Sequence, residues 1–476
     1  MKEIRIALLG FGSASQALVR MLLEKSESSP DIDLVPCSCR YLRIPSVSSI
    51  ETATKLIPWR VVCIITRRHG RVCVPLQAAG GPPEQTKDDA WELDVVKALQ
   101  RIESGQVLDD SLVLKNNVCA HLQAGPLHKD INCKDANEQT QNLIKLLGST
   151  QIANIVVEAI PSNPHSGEPA ISFLTTALQS QLHVVSANKG PVAHSVLVPR
   201  ADTTSVAFDG GEDENNKKVS SDKLERKEAY WTLRKLAYQN KVMYLHESAV
   251  MDGVPIFSLW KHTLSHAILL SLRGCLNSTT TLILTRMEGQ LDKSGDACQG
   301  ESFEDALAAA KQMGVVEEDE SLDVDGYDAA VKLRALLVVL SSSSHSCSNV
   351  TIPSIENIPR DSIRSITQDR IRQAYLDGRK KYRLVASAEL VDLPLPTNGQ
   401  NSSQQPLGHD KSWNARVQLQ LLTPDDPLYN LSGTSSSIQF CTNVLGPITV
   451  VSTDPTLVDT AYGLFSDIVR VASETQ

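Results

Sequence analysis

The chain has 476 residues, with 46 Lys and Arg against 55 Asp and Glu and a formal charge of −9. That length suggests two or three domains at roughly 100–200 residues each, and 41% apolar residues supply material for a sizeable core. The acidic balance argues against a nucleic-acid partner, no apolar run approaches the ~20 residues of a membrane span, and the 10 cysteines, with only a C-x-C at Cys37 and Cys39, lack metal or disulfide-framework spacing.

Ile4 to Leu9 is a β-rich apolar run, and Met1-Lys2-Glu3 before it lacks the features of a signal peptide, so a cytoplasmic, reducing setting is expected. Gly10-Phe11-Gly12 interrupts that strand, and Ala14, Leu18, Met21 and Leu22 then recur at helical spacing with Ser13 placed to cap. Strand, glycine turn and helix in that order open a doubly wound parallel sheet. Residues 26–58 are Ser- and Pro-rich without sustained periodicity and read as an insertion; the next strand is Arg60–Thr66, and 71–100 read as loop. Strands are expected at Ala153–Ile160, Leu182–Ser186 and Val242–His246, and helices at Gly167–Gln179 and Lys227–Gln239. The polar stretch 201–227 reads as a disordered surface loop. Further on, Pro255–His266, Phe303–Met313 and Tyr327–Leu340 look helical, and Ala267–Leu272, Tyr382–Ala386, Val417–Leu422 and Ile448–Val451 look extended. Two Ser-rich stretches, 341–348 and 397–404, read as linkers, and a last helix is expected over Leu457–Val471.

Four features carry chemistry. The turn Gly10-Phe11-Gly12-Ser13-Ala14-Ser15 is G-x-G-x-x-S, placed where glycines let backbone N–H groups approach a pyrophosphate; a purely structural turn is the alternative. The second strand ends in Thr66-Arg67-Arg68-His69 instead of an acidic residue. Arginine there suits a 2′-phosphate and leans toward NADP(H), although two arginines also simply solvate a loop. Lys189, in Ala187-Asn188-Lys189, lies just past a strand's carboxyl end, the edge where open α/β sheets bind ligands. The densest cluster is Glu317, Asp319, Asp323, Asp325, Asp328 and Lys332, in which Asp328 and Lys332 share one helix face. Carboxylates beside a lysine suit a substrate ammonium group and a proton donor at a carbonyl. The bland alternative is an acidic loop with one helix pair worth ~0.2–0.5 kcal/mol.

The order of the pieces says more than any one of them. The stretches LLGFGSASQALVRML (8–22), VVEAIPSNPHSGEPA (156–170), HVVSANKGPVA (183–193), ESAVMDGVPI (247–256), RGCLNSTTTLIL (273–284) and MGVVEEDESLDVDGYDAAVKL (313–333) appear in series. Through them the chain resembles homoserine dehydrogenase, from residue 4 to about 470 with insertions. The resemblance implies an α/β fold: a Rossmann-type doubly wound parallel sheet with an inserted α/β catalytic and dimerisation domain. It implies NADPH- or NADH-dependent, reversible reduction of L-aspartate 4-semialdehyde to L-homoserine, a step of threonine and methionine biosynthesis, in a homodimer without an aspartokinase segment. Lys332 is then the proton donor, Asp328 its support, and Lys189 lies between nicotinamide and substrate. Glu317, Asp323 and Asp328 contact substrate. The cofactor lies on Gly10, Phe11, Gly12, Ser13, Ala14 and Ser15, on Ile160, Pro161 and Ser162, and on Lys189, with Arg67 and Arg68 at its adenosine end. A monovalent cation is implied at Glu247, Val250, Asp252 and Val254. The implied division is a nucleotide domain over 1–245 plus 454–476, a dimerisation sheet over 246–255 plus 381–453, and a catalytic part over 256–380.

The chain also departs from that pattern. Ser15 stands at the third glycine, Glu318 and Glu320 replace prolines of the acidic turn, and Ser452-Thr453-Asp454-Pro455-Thr456 replaces a late glycine turn, setting Asp454 where it would repel phosphate. These changes suit a second reading, a catalytically diverged relative that binds cofactor or a partner. A phosphorylating semialdehyde dehydrogenase fits poorly, since Cys275 has no evident histidine beside it.

Overall fold

Five parallel strands form the centre of the first sheet, in the spatial order Tyr244–Leu245, His183–Ser186, Ile155–Glu158, Ile4–Leu9 and Thr54–Ile65. The structure, a computed structural model, describes residues 1, 3–27, 40–45, 54–74, 91–115, 133–161, 163–199, 224–289, 300–316, 319–341, 350–392 and 411–475. Ile4, Ile6, Ala7, Leu8 and Leu9 are all buried, as expected of a parallel strand covered on both faces. Helix Ser13–Glu24 packs against the last helix, Leu457–Glu474, while Cys133–Ser149, Ala170–Gln179 and Ala229–Gln239 pack in series. The strand order reverses between Ile4–Leu9 and Ile155–Glu158, and ligands of open α/β sheets bind outside the carboxyl ends at such a point.

The stretch 26–58, read as an insertion, contributes sheet. Arg40–Pro45 pairs antiparallel with Thr54–Ile65, and Ser26–Glu27 pairs with Arg40–Pro45. The loop reading of 71–100 is likewise corrected: Arg71–Cys73 pairs with Thr54–Ile65, and Val95–Glu103 is a helix capped by Asp94, whose carboxylate accepts from Lys97 N at 3.0 Å. Of the expected surface loop 201–227, residues 201–223 lie outside the described residues, and Leu224–Glu228 pairs antiparallel with Ser195–Pro199.

A second sheet runs Val350–Thr351, Lys411–Leu422, Lys381–Asp392, Leu269–Cys275, Ser436–Thr442 and Ile448–Ser452. Leu269–Cys275 sits inside it, between Lys381–Asp392 and Ser436–Thr442, so a boundary at 256 does not part the catalytic segment from the sheet. One face carries Leu272, Leu384, Ala386, Ala388, Val417 and Phe440, all buried, and helices Ser278–Glu288, Tyr327–Leu340 and Gln368–Leu376 cover it. On the opposite face Ser387, Glu389, Asn414, Arg416, Gln418 and Gln439 alternate with those apolar residues and stay at least partly accessible.

Helix Tyr327–Leu340 carries Asp328 and Lys332. Every residue in it except Lys332 is buried. A helix that is apolar nearly all round belongs in a core, so its two buried charged groups, Asp328 and Arg334, have been brought inside with partners. Gly326 opens it in the left-handed region at φ 73°, where a Cβ would meet Asp361 O at 3.1 Å.

Candidate active site

The glycine turn begins where the first strand ends. Gly10 has φ 89°, and a Cβ there would lie 2.4 Å from Ala159 O and 3.0 Å from the Ile160 side chain, so the two loops at the switch point approach as closely as backbone allows. Gly10 N donates to Ile65 O at 2.8 Å, which ties the turn to the end of the neighbouring strand. Gly12 and Ser13 are exposed at the start of helix Ser13–Glu24, and a Cβ on Gly12 would touch nothing within 4 Å. Open space in front of a helix N-terminus is what a pyrophosphate needs, and the residues fit a dinucleotide. Ser15 and the Phe11 ring point the other way. Both are buried, and the Ser15 hydroxyl has no hydrogen-bond partner among the described residues, so these side chains pack helix on strand and leave the backbone facing outward.

Arg67 and Arg68 are exposed in a tight turn closed by Thr66 N donating to Gly70 O at 2.9 Å. The turn continues the strand beside Ile4–Leu9, on the same sheet edge as the glycines. Asp454 is exposed, and its carboxylate accepts from Thr434 N at 3.2 Å.

From the switch point a line of contacts leads to the acidic cluster. Glu158, fully buried at the end of an otherwise apolar strand, accepts from Ser186 Oγ (2.5 Å), Ile160 N (3.0 Å) and Asn188 Nδ2 (3.3 Å). Burial pushes its carboxyl pKa up against those three donors. Asn188 also donates to Ile160 O at 3.0 Å, which fixes the backbone next to Lys189. Lys189 precedes the short buried helix Gly190–Ala193, and its ammonium reaches across to Asp328.

Asp328 therefore holds two amines. One oxygen pairs with Lys189 and the other with Lys332 Nζ at 2.9 Å, while Lys332 also donates to Leu276 O at 3.0 Å. Burial alone would raise the Asp328 carboxyl, but the two ammonium groups prevail and hold it well below the usual carboxylate range. Asp323, in the short helix Ser321–Val324, joins through Asn277, whose Nδ2 donates to Asp323 at 2.7 Å and to Asp328 at 2.9 Å. Lys189, Asp323, Asp328 and Lys332, four of the anticipated site residues, thus meet in one network. Glu317 and Ser162 lie outside the described residues.

Asn277, Glu158 and Arg334 had no role in the sequence reading. Arg334, buried on the helix of Asp328, donates to Ala193 O and pairs with Glu228 at 2.7 Å, fastening the helix that follows Lys189 to that of Asp328. The available signal was an ionisable residue ending or interrupting an apolar run, as in the VVE of 156–158.

The anticipated cation set is largely committed elsewhere. Glu247 accepts from Phe257 N at 2.8 Å and from the backbone and hydroxyl of Ser258, and Asp252 accepts from Thr460 Oγ1 at 3.0 Å. Among the described residues no three His, Cys, Asp or Glu side chains group around a metal position. What a monovalent ion would find is backbone carbonyl in the turn Val250–Val254, where Met251 and Asp252 both have φ 58°. No described helix is long and apolar enough to cross a membrane.

The chain is similar to known proteins. Residues 255–469 match the homoserine dehydrogenase family model. The NAD(+)-dependent homoserine dehydrogenase of Pseudomonas canavaninivorans is 28% identical over 319 residues, 67% of this chain and 71% of that protein. The homoserine dehydrogenase of Methanocaldococcus jannaschii is 26% identical over 68% of this chain and 74% of its own. A hyperthermophilic archaeal homoserine dehydrogenase solved with NADPH superposes with a TM-score of 0.57 at 20% identity, covering 99% of this chain and 98% of that one. That of Thiobacillus denitrificans gives 0.56 at 19% identity, over 100% and 74%. The segment 255–469 is thus a homoserine dehydrogenase family domain, and the chain as a whole is similar to these enzymes in sequence and fold.

Proposed function

We propose that the chain interconverts L-homoserine and L-aspartate 4-semialdehyde with a nicotinamide cofactor, and that Lys332, Asp328 and Lys189 are its catalytic residues. The observation that carries this reading is the single buried carboxylate of Asp328 gripping two amines at the end of the contacts that run from the glycine turn. The names of the relatives agree with it. A bound nicotinamide supplies or accepts the hydride. Lys332 gives its proton to the aldehyde oxygen in reduction and takes the hydroxyl proton in oxidation. Lys189 offsets negative charge growing on that oxygen from the cofactor side. Asp328 stays ionised throughout and fixes both amines, while Asp323 and Glu317 are left to receive the substrate ammonium group.

Arg67 and Arg68 supply positive charge beside the glycine turn and make NADP(H) the preferred cofactor of this reading. The relatives' names include both an NAD(+)-dependent enzyme and an NADPH complex. NADPH is expected to bind at least tenfold more tightly than NADH in a fluorescence titration; equal dissociation constants would refute the preference. The half-exposed polar face of the second sheet is the proposed homodimer surface, and sedimentation equilibrium at twice the chain mass is the expected result. A monovalent cation enters the reading only through the carbonyls of Val250, Asp252 and Val254; no step depends on it, and a Tm higher in potassium than in tetramethylammonium chloride at equal ionic strength would support it.

The deciding experiment is homoserine-dependent reduction of NADP followed at the nicotinamide absorbance band. Cofactor binding without turnover would favour the diverged, non-catalytic relative instead.

A further inference from the structure

Strand Thr54–Ile65 carries a cysteine that the reaction does not use. Cys63 is wholly buried, and half-buried Cys73 stands directly across from it on the short antiparallel strand Arg71–Cys73. Val74 N donates to Val62 O at 2.9 Å, and Thr66 N to Gly70 O at 2.9 Å. Bonded and non-bonded pairs alternate along an antiparallel ladder, so Cys63 and Cys73, one step from the first of these pairs and three from the second, form a non-bonded pair. There the Cα atoms are about 4.5 Å apart and side chains approach most closely. That separation lies just inside the range a disulfide tolerates, about 4.4–6.8 Å, and short of the roughly 5.5–6 Å it prefers. The two thiols are already in contact: the hydrogen bond with Cys73, together with burial, pushes the Cys63 thiol well up. Cys275 and Cys441, on neighbouring strands of the second sheet, stand opposite Ser437 and Ser271 instead.

We propose that Cys63 and Cys73 are a modification site, a dithiol that oxidised glutathione or a similar small disulfide converts reversibly to an intrachain disulfide. Cys73, the accessible thiol, attacks first as its thiolate, forms a mixed disulfide and expels one glutathione thiolate, which takes up the proton Cys73 gave up. The Cys63 sulfur then loses its proton, attacks the Cys73 sulfur and expels the second glutathione. The two cysteines lose two electrons and two protons in all, and oxidised glutathione gains them as two thiols. A disulfide closed below its preferred Cα separation is strained and easily reduced, which suits a reversible pair better than a structural staple. Closing it also acts on the turn Thr66–Gly70, which joins the two strands and carries Arg67 and Arg68. Strands pushed toward the separation the bond prefers shift that turn. The effect on cofactor rests on the reading of those arginines given above.

The test incubates the native protein with oxidised glutathione, alkylates the remaining thiols and digests without reductant. Tryptic peptides 61–67 and 72–87 should emerge joined, and dithiothreitol treatment of the native protein should part them. Cys63→Ala should instead keep one glutathione on Cys73, and Cys73→Ser should give neither product. Unjoined peptides from oxidised wild-type protein, or glutathione resting on its Cys73, would overturn the proposal. Oxidised protein is expected to bind NADPH at least threefold more weakly than reduced protein, with NADH changed less than twofold. A bond that forms and leaves the NADPH constant unmoved would overturn the link to the cofactor. Reduced protein that binds the two cofactors equally would sink the arginine reading, while the joined peptides would still judge the cysteine pair.

Discussion

Lys332 is the one residue of its helix that reaches partly into the open, and its ammonium touches only Asp328 and the Leu276 carbonyl among the contacts identified. That environment gives it little structural duty and suits the role proposed for it. Lys332→Ala should cut turnover by about 10²–10⁴, the usual contribution of a positioned acid or base, and leave NADPH titration unchanged. Loss of NADPH binding along with activity would mark it as structural. Asp328 differs because it is buried beneath two charges. Asp328→Asn leaves two ammonium groups without their counter-ion, and removing one member of a buried pair costs about 3–5 kcal/mol. A fall in Tm should therefore accompany its loss of activity, whereas Lys332→Ala, removing a half-exposed group, should hold its Tm.

At the scale of elements, the glycine turn separates two duties. A side chain at Gly10 would strike Ala159 O and also strain a positive φ, while one at Gly12 would enter empty space. Gly10→Ala should lower Tm and weaken NADPH together. Gly12→Ala should leave Tm alone and raise the NADPH dissociation constant at least tenfold if, as proposed, the cofactor takes that space; an unchanged constant would place the phosphates elsewhere. This unit and helix Tyr327–Leu340 were legible in the sequence because an apolar run, a glycine break and a sustained helical period all lie within a few residues of one another. Helix Cys133–Ser149 was not, since its first ten residues are mostly polar and, among its side chains of described burial, Ile144 and Leu147 are the fully buried apolar ones. Arg40–Pro45 was hidden for a related reason: a strand that ends in proline and is flanked by serines reads as loop until its partner, Thr54–Ile65, is known. The lysine and acid of 328 and 332 were readable as an i,i+4 pair, but Lys189 joins them from 139 positions away and Asn277 from 51. Local periodicity carries no information about such meetings; here the order of motifs along the chain carried it for Lys189 and left Asn277 unremarked.

At the scale of the whole molecule, the C-terminal helix closes the structure. Leu457–Glu474 packs on the first helix, Thr475 O accepts from the Met1 amino group at 2.7 Å, and Asp467 accepts from Glu247 N at 2.9 Å, in the segment that joins the two sheets. Asp467 is 3% exposed, and burial, with the Glu247 carboxylate beside it, pushes its pKa from 3.8 up to about 7 against the pull of Arg470 and Lys261. His246 next to Glu247 is itself driven down to about 3 by burial, so it stays neutral across the same range. The native chain thus keeps a proton on Asp467 that the unfolded chain releases near pH 4. Stability should fall as pH rises from about 4 to 7 and level off above it, by on the order of 4 kcal/mol for a shift of about three units. Asp467→Asn keeps a carbonyl for Glu247 N and removes the ionisation. Its Tm should vary less than wild type between pH 5 and 8 and exceed it above pH 7; parallel curves for the two proteins would show that this closure does not titrate.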